Sequence, residues 1–278
     1  MLVTLREVLK DAREKKYGVG LFNTVSLEMA KGVLGAAEEL KSPVIIGTAE
    51  VLLPYASLEE LAYFLVPMAK KASVPVVLHF DHGLTDTKIV EALRLGFSSI
   101  MYDCSTDTYE NNIARVARMV KIAGMFGASV EGELGHVGAN DESAGDDSIY
   151  TEPDQARDFA LRTGVDALAV AIGTAHGAYR SAPKLDIPRL REIAQAVETP
   201  LVLHGGSGLS VQNFQDCIQA GIAKVNIFTD LDVAAAKAVH DGWQPGMGMT
   251  SLMGPQAQAV KAVVLEKMGI FGSAGKAR

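Results

Sequence analysis

The amino-acid sequence predicts a (β/α)8 barrel with an additional helix at its start and further helices at its end. Eight short apolar segments rich in β-branched residues alternate with longer amphipathic segments along the 278 residues. Most of the short segments are apolar first and polar at their ends, which is typical of parallel strands buried on both faces. A doubly wound sheet is the alternative, but no GxGxxG loop follows an early strand. We therefore expect a single barrel domain over residues 1–278.

The predicted strands lie at residues 19–23, 43–49, 75–82, 98–105, 128–135, 167–173, 200–206 and 224–230. Amphipathic periodicity and end signals predict helices at residues 2–16, 26–41, 57–72, 85–96, 210–221 and 261–268. Ser26 is expected to cap its helix, because its hydroxyl can accept from a free backbone N–H. Pro67 is expected to kink or shorten the helix over residues 57–72.

Composition restricts the classes of partner. The formal net charge is -7, which argues against nucleic acid and anionic membrane as the main partners. Cys104 and Cys217 form no CxxC motif, so a reducing compartment is expected. No apolar run approaches the ~20 residues of a membrane span, and the start of the chain is a charged helix rather than a signal peptide. These features predict a cytoplasmic protein.

Polar side chains stand at or just beyond the ends of the predicted strands, which form the catalytic face of such a barrel. In chain order they are Asn23, Asp81, His82, Asp103, Glu133, His176, His204 and Asn226. Burying such charges is costly unless they are paired or bind a metal. His82, His176 and His204 predict a zinc site, because catalytic zinc takes three protein ligands and leaves a fourth position open. The alternative is a set of hydrogen-bonded histidines without a metal.

The neighbouring carboxylates have two readings each. Asp81 is either an acid/base close to the metal or a group that orients a histidine. Asp103 and Glu133 either bind a second cation or fix the imidazoles. His79 lies inside its strand and is expected to be structural or to support a ligand, whereas His136 opens the long loop after residue 135 and has no assigned role.

Glycine-rich segments follow the last two predicted strands, in the loops that usually bind phosphate in this fold. The backbone N–H groups of Gly205, Gly206 and Ser207 can hold a phosphate together with the hydroxyls of Ser207 and Thr229. Gly177, beside His176, offers a further backbone contact. The loops therefore predict a phosphorylated substrate.

The lysines exclude one kind of carbon–carbon bond cleavage. Schiff-base chemistry needs a lysine that projects from a strand end into the pocket. Lys224 begins its strand and is expected at the opposite rim, and no other lysine ends a strand. If this protein breaks carbon–carbon bonds, a metal is needed to accept the electrons.

Motifs over essentially the whole chain carry a family resemblance. They are LFN (21–23), HFDHG (79–83), MYDCS (101–105), VEGELGHVG (130–138), GTAHG (173–177), LHGGSG (203–208), VNIFTD (225–230) and GSAGKA (272–277). Together they resemble the class II, zinc-dependent ketose-bisphosphate aldolases, which act on fructose and tagatose bisphosphates. The resemblance implies a lyase of carbohydrate metabolism that releases dihydroxyacetone phosphate.

The resemblance also implies a role for particular residues. It implies zinc at His82, His176 and His204, an acid/base at the substrate C4 oxygen in Asp81, and a second metal position at Asp103 and Glu133. The identity of that second ion, divalent or monovalent, is left open. The dihydroxyacetone-phosphate half would contact Gly177, Gly205 to Ser207 and Asn226 to Thr229, with Asn226 bonded to the enediolate. The acid that moves a proton at C3 would be Asp141 or the adjacent Glu142.

The sequence departs from the family pattern where the distal phosphate would bind. The family usually has a serine- and glycine-containing loop after the second strand, whereas this chain has Ala49 and Glu50 there. It also lacks the arginine that the family tends to supply from residues 242–255. A carboxylate would repel a second phosphate. We therefore expect a ketose 1-phosphate substrate whose distal end is not phosphorylated.

Three other functions remain open from the sequence. The first is a tagatose- or fructose-1,6-bisphosphate aldolase. The second is a metal-dependent hydrolase, although strand one lacks the histidine pair that such barrels often use. The third is a non-catalytic accessory subunit, which need not keep the metal residues that this chain keeps. The resemblance further implies a homo-oligomer, a dimer or a tetramer.

Overall fold

Eight parallel strands close into a barrel in the computed structural model, which describes residues 1–138, 150–177, 179 and 183–277. The predicted (β/α)8 fold is therefore confirmed. The strands are β1 (Leu2–Val3), β2 (Val19–Asn23), β3 (Val44–Ala49), β4 (Val76–Gly83), β5 (Ser99–Tyr102), β6 (Ser129–Leu134), β7 (Ala167–Val170), β8 (Leu201–Leu203) and β9 (Ile222–Ile227). Strands β2 to β9 pair in chain order, and β9 pairs with β2 to complete the circle.

Helices surround this barrel. They are α1 (Leu5–Lys15), α2 (Leu27–Leu40), α3 (Leu58–Lys71), α4 (Asp86–Leu95), α5 (Tyr109–Met125), α6 (Pro153–Thr163), α7 (Ile187–Ala196), α8 (Val211–Ala220), α9 (Thr229–Gly242) and α10 (Thr250–Phe271). Ser26 caps α2 as predicted, since its side chain accepts from the N–H of Met29. None of the described helices is long and apolar enough to cross a membrane.

The structure differs from several local expectations. Residues 2 and 3 are not helical but form β1, which pairs with the start of β4 below the point where β5 joins it. The assigned helix α3 is not shortened at Pro67 and continues to Lys71. The strand predicted over residues 224–230 ends at Ile227, because the chain turns there and begins α9 at Thr229.

The base of the barrel is closed by α1. Its buried face contributes Leu5, Val8, Leu9 and Ala12, which pack against apolar residues that point inward from the strands. Burial of this face removes apolar surface from water at the lower rim. The opposite rim, where the strands end, is left to carry polar groups.

Strands β3 and β4 approach each other most closely at Gly47, which pairs with His79. A Cβ atom on Gly47 would lie 1.8 Å from the carbonyl oxygen of His79. No side chain fits there, so glycine is required for the two strands to pair at His79, two residues before Asp81. The position of the catalytic face thus depends on a residue with no side chain.

We predict that Gly47→Ala lowers the free energy of unfolding by about 3 kcal/mol, because β3 must shift away from β4. Gly124→Ala in α5 is the matched control. Nothing lies within 4 Å of its added methyl group, so the better helix propensity of alanine should stabilise the protein by about 0.5–1 kcal/mol. Urea unfolding of both variants provides the measurement. Equal stability of the two variants would contradict the packing argument.

Candidate active site

The end of β4 brings two consecutive side chains to the same cavity. In a regular strand, neighbours such as Asp81 and His82 point to opposite faces of the sheet. Here His82 has a positive φ of 41°, and the pairing with β5 shifts register between Phe80 and Gly83. Both side chains consequently line the cavity. A left-handed backbone at a residue other than glycine is uncommon and is often found at functional sites.

His82, His176 and His204 converge at this rim. The ring centroids lie 5.0 Å apart for His82 and His176, 4.5 Å for His82 and His204, and 5.9 Å for His176 and His204. One nitrogen from each ring lies within 4.8 Å of the others. Three nitrogens this close to one another can share a single cation.

The hydrogen bonds of two of the rings leave one nitrogen of each for that cation. Nε2 of His204 lies 2.9 Å from Oε1 of Glu131, whereas its buried Nδ1 lies 3.0 Å from Oε2 of Glu133 in a contact that lacks hydrogen-bond geometry. Nδ1 of His82 lies 2.8 Å from Oδ2 of Asp103, which leaves Nε2. A carboxylate on one nitrogen fixes the ring and directs the other nitrogen to a metal. The donor set therefore fits zinc, which favours imidazole ligands.

Asp103 and Glu133 lie against the imidazoles, as expected if these carboxylates hold the rings in place. Asp103 contacts His82 and also accepts from the hydroxyl of Ser105, at 2.7 Å. Oε2 of Glu133 lies 3.0 Å from Nδ1 of His204. Together with His82, these two carboxylates also offer three ligand atoms within 4.8 Å of one another. The geometry is therefore also compatible with a second cation at Asp103 and Glu133.

Asp81 is held by two amide side chains. Nδ2 of Asn23 donates to its Oδ2 at 2.8 Å, and Nδ2 of Asn226 donates to both oxygens at 3.0 and 3.2 Å. His79 supports the same carboxylate, with Nε2 3.7 Å from Oδ1. These contacts hold the carboxylate in one orientation beside the three imidazoles.

Beneath these groups lies a buried lysine that the sequence placed wrongly. Lys224 begins low on β9, but its extended side chain carries Nζ up the barrel interior rather than to the opposite rim. Nζ lies 2.8 Å from Oε2 of Glu131 and donates to Oδ1 of Asn226 at 2.8 Å. Lys224 therefore contacts a partner of His204 and a partner of Asp81. The role of Glu131 was also missed, although its spacing of two from Glu133 puts both on one face of β6.

The electrostatics of the site favour a positive charge among the imidazoles. Burial raises the pKa of Glu131, but Lys224 and His204 outweigh it and lower that pKa to about 2. Burial lowers the pKa of His204, yet Glu131 and Glu133 outweigh it and raise that pKa to about 10. In the metal-free protein His204 therefore carries a proton, which a divalent cation would displace on binding.

The pKa values of two further groups are both lowered, with opposite effects on their charge. Burial and the charges of His82 and His204 lower the pKa of His176 to about 4, so His176 is neutral and able to ligate. Burial raises the pKa of Asp81, but His82, His79 and Lys224 outweigh it and hold that pKa well below its usual range. Asp81 is consequently ionised and can accept a proton.

The cavity above these groups has a volume of about 500 Å³. The glycine loops at its edge pack closely against neighbouring backbone. A Cβ atom on Gly205 would lie 2.4 Å from the carbonyl oxygen of Ala175, and one on Gly206 would lie 2.8 Å from that of Asn226. The hydroxyl of Ser207 accepts from the N–H of Phe228 at 3.3 Å and so links the loops after β8 and β9.

The other predicted residues are distributed as follows. Gly177 and Thr229 line the cavity, Thr229 as the first residue of α9, and His136 lines it too. Glu50 does not line it, so the expected direct repulsion of a distal phosphate is corrected. Its carboxylate instead accepts from the N–H of Leu84 at 2.7 Å and from the N–H of Thr85 at 3.1 Å. Asp141 and Glu142 lie outside the described residues.

The chain is similar to known proteins along its whole length. The family profile described as "Fructose-bisphosphate aldolase class-II" matches residues 3–276. A fructose-bisphosphate aldolase of Thermus caldophilus is 40% identical, and the match covers 100% of both chains. The crystal structure of the YdjI aldolase from Escherichia coli K12 has a TM-score of 0.92 and 41% identity, again over 100% of both chains.

We predict that Lys224→Met is costly because it removes one of the two cations that face the buried Glu131 and leaves only His204. The loss in free energy of unfolding should be about 3–5 kcal/mol. The double variant Lys224→Met/Glu131→Gln removes both charges and should recover most of that loss. Lys237→Met is the control, since Lys237 pairs with Asp241 on the exposed surface. Thermal unfolding of the metal-free proteins measures these effects, and a double variant no more stable than Lys224→Met would contradict the pairing.

Proposed function

This chain belongs to the class II fructose-bisphosphate aldolase family, and from that premise we propose a zinc-dependent aldolase specific for a ketose 1-phosphate. Members of the family are carbon–carbon lyases, and their general reaction cleaves a ketose phosphate to dihydroxyacetone phosphate and an aldehyde. The assignment as a lyase removes the metal-dependent hydrolase and the non-catalytic subunit from consideration. The finer claims are the metal, the roles of individual residues and an unphosphorylated distal end.

The observation that supports zinc most directly is the convergence of His82, His176 and His204. Glu131 is bonded to Nε2 of His204, and the buried Nδ1 has only the 3.0 Å contact with Glu133, which lacks hydrogen-bond geometry and leaves that nitrogen to a cation. When bound, zinc supplies Lewis-acid stabilisation of the negative charge that develops on substrate oxygens. Asp103 and Glu133 orient the imidazoles in this proposal, and they are also the ligands proposed for a second cation.

Asp81 takes the proton from the C4 hydroxyl of the open-chain ketose. The C3–C4 bond then breaks, the C4 oxygen becomes the aldehyde carbonyl, and the electron pair moves toward C3 and the C2 oxygen. Asn23 and Asn226 hold the Asp81 carboxylate in place through their amide groups. Asn226 lines the cavity and is positioned to donate to the enediolate.

A second acid completes the reaction by returning a proton to C3. We assign that step to Asp141 or Glu142, on the strength of the family resemblance, because both follow the motif VEGELGHVG. The protonated product is dihydroxyacetone phosphate. Asp81 returns its own proton to water before the next cycle.

The phosphate on C1 is held by the loops after β8 and β9. Gly205, Gly206 and Ser207 offer backbone N–H groups, and Ser207 and Thr229 offer hydroxyls. Thr229 is also the first residue of α9, whose helix dipole favours an anion at that end. Gly177 adds a backbone contact.

An unphosphorylated distal end is supported by the charges around the cavity. None of the described residues that line it is a lysine or an arginine. The helix terminus and glycine loops provide for one phosphate, and a second dianion would need a cation of its own. The competing candidate is a fructose- or tagatose-1,6-bisphosphate aldolase, which the names of the relatives favour.

The proposal also covers the setting of the enzyme. We propose a cytoplasmic protein, in keeping with the two buried free thiols of Cys104 and Cys217. A homo-oligomer is proposed from the family resemblance alone.

We predict different defects from removing the base and removing a ligand. Asp81→Ala should keep its zinc but lose about 10²–10⁴-fold in cleavage rate, which is the usual contribution of an acid/base group. His204→Ala should lose both zinc and activity. His240→Ala, which removes an exposed imidazole, is the control and should keep both. Metal analysis and a coupled assay for dihydroxyacetone phosphate measure the two effects, and normal rates in Asp81→Ala and His204→Ala would overturn the assignment.

The substrate is tested by steady-state kinetics on matched pairs. We predict that fructose or tagatose 1-phosphate has a kcat/KM at least about tenfold above that of the corresponding 1,6-bisphosphate, because no described cation meets the distal phosphate. A clear preference for either bisphosphate would instead support the competing candidate.

A further inference from the structure

The loops after β3 and β4 form one wall of the cavity. Ala49 is the register partner of Asp81, so these two loops start side by side. Ala49, Val51, Leu52 and Leu84 contribute this wall, called here the apolar wall. The phosphate loops lie elsewhere on the rim, after β8 and β9, and β2 separates β9 from β3.

Substrate orientation follows from these positions. Under the proposed function, the C1 phosphate lies at the loops after β8 and β9, and the C4 oxygen lies at Asp81 on β4. The carbons beyond C4 then extend past Asp81 toward the residues that follow it and its neighbour Ala49. The distal part of the aldehyde half therefore meets the apolar wall.

The apolar wall offers no obvious partner for a charge. Val51 and Leu84 remain 64% and 46% exposed, although both are large apolar residues at the mouth of a cavity. Binding is favoured when a ligand covers exposed apolar groups that line a cavity, because apolar surface is removed from water. Among the described residues of the whole cavity lining, the ionisable ones are aspartates and histidines at the candidate metal centre and His136 beyond it.

Glu50 removes the other feature that could bind an anion here. Helix α4 begins at Asp86, and the backbone N–H groups of its N-cap residue Thr85 and of Leu84 lie immediately before it. The carboxylate of Glu50 accepts from both, and from the hydroxyl of Thr85 at 2.8 Å. This helix end already holds an internal anion, whereas Thr229 at the start of α9 faces the cavity. The two helix ends at the mouth thus differ in whether they can take a substrate anion.

We propose that the aldehyde half of the substrate is uncharged and ends in an aliphatic carbon, and that Glu50 is a specificity-determining residue that excludes anionic aldehydes. This inference rests on the proposed function and adds the chemical class of the distal group. A distal phosphate or carboxylate would meet no cation on the apolar wall, and it would find the N–H groups of Leu84 and Thr85 already bonded to Glu50. An aliphatic end instead covers Val51 and Leu84.

Condensation of dihydroxyacetone phosphate with an aldehyde, the reverse of cleavage, tests the preference for an uncharged aldehyde directly. C3 of dihydroxyacetone phosphate loses a proton to the loop acid, and its electron pair attacks the carbonyl carbon of the aldehyde. A new C3–C4 bond forms, and the former carbonyl oxygen takes a proton from Asp81. Only the aldehyde differs between assays, so rate differences report on the apolar wall.

The first experiment measures kcat/KM for aldehydes at saturating dihydroxyacetone phosphate with the zinc-loaded protein. The series is acetaldehyde, propanal, glyceraldehyde 3-phosphate and glyoxylate. Propanal should exceed acetaldehyde about tenfold, the usual effect of one methylene in an apolar pocket. The kcat/KM of propanal should exceed that of both anionic aldehydes by about 100-fold or more, because the apolar wall provides no partner for an anion. A charged aldehyde as the best acceptor would overturn the inference.

The second experiment assigns the exclusion to Glu50. Glu50→Ala frees the α4 terminus and should raise the ratio of glyceraldehyde 3-phosphate to propanal about tenfold. The matched control is Glu60→Ala, because Glu60 is also a capping carboxylate, accepting from Ser57 at the start of α3. Leu84→Ala should lower the ratio of propanal to acetaldehyde. If Glu50→Ala leaves the ratio as Glu60→Ala does, Glu50 only caps its helix and its specificity role is overturned.

A third measurement separates this inference from the proposed function. Exchange of the C3 proton of dihydroxyacetone phosphate with deuterated water needs no aldehyde and reports on the phosphate half alone. Exchange together with a preference for charged aldehydes overturns only the inference. Absence of exchange overturns the proposed function and the inference with it.

Discussion

The buried ion pair between Lys224 and Glu131 is the interaction on which the rest of the site depends. Glu131 is ionised because Lys224 faces it, and as an ionised carboxylate it can only accept from Nε2 of His204. That acceptance leaves Nδ1 of His204, which lies 3.0 Å from Oε2 of Glu133, as the nitrogen available to a cation. The same Nζ atom fixes Oδ1 of Asn226, so the amide of Asn226 must present Nδ2 to Asp81. One cation in the barrel interior thereby orients a candidate ligand and the candidate base.

Such an arrangement is costly to build and suits chemistry rather than stability. Fully buried charges lose their hydration, and a buried pair stabilises a fold less than apolar packing of the same volume. The chain also holds His82 in a left-handed backbone conformation so that it faces the cavity beside Asp81. Apolar packing elsewhere offsets these costs, notably the closure of the lower rim by α1. Stability and function thus occupy opposite ends of the barrel, which is the usual division in this fold.

The cavity is asymmetric in charge, and the asymmetry arises from two helix ends. Helix α9 opens at the cavity beside Ser207 and the glycine loops, where backbone groups can meet an anion. Helix α4 opens next to the apolar wall, but Glu50 from the loop after β3 accepts from the N–H groups of Leu84 and Thr85 just before that helix. One end of the cavity can therefore bind an anion, whereas the other end offers an anion no partner. The same carboxylate ties the loop after β3 to the loop after β4 and so fixes the position of the wall.

The sequence by itself determined the barrel and the rim at which His82, His176 and His204 lie. It could do so because hydrophobic periodicity is local, and because parallel strands bring their carboxyl ends to one rim. It did not determine which nitrogen of His204 is free, where the amine of Lys224 lies or which groups Glu50 contacts. Each of these depends on residues far apart in the chain, such as Glu131 and Lys224, which meet only when the register of the closed barrel is set. A long side chain can also end well away from its own backbone. The position of Lys224 low on β9 therefore predicts its amine at the lower rim, whereas the amine lies at Glu131 and Asn226. Tertiary structure decided these points, because hydrogen bonds depend on ångström-scale distances that no local pattern encodes.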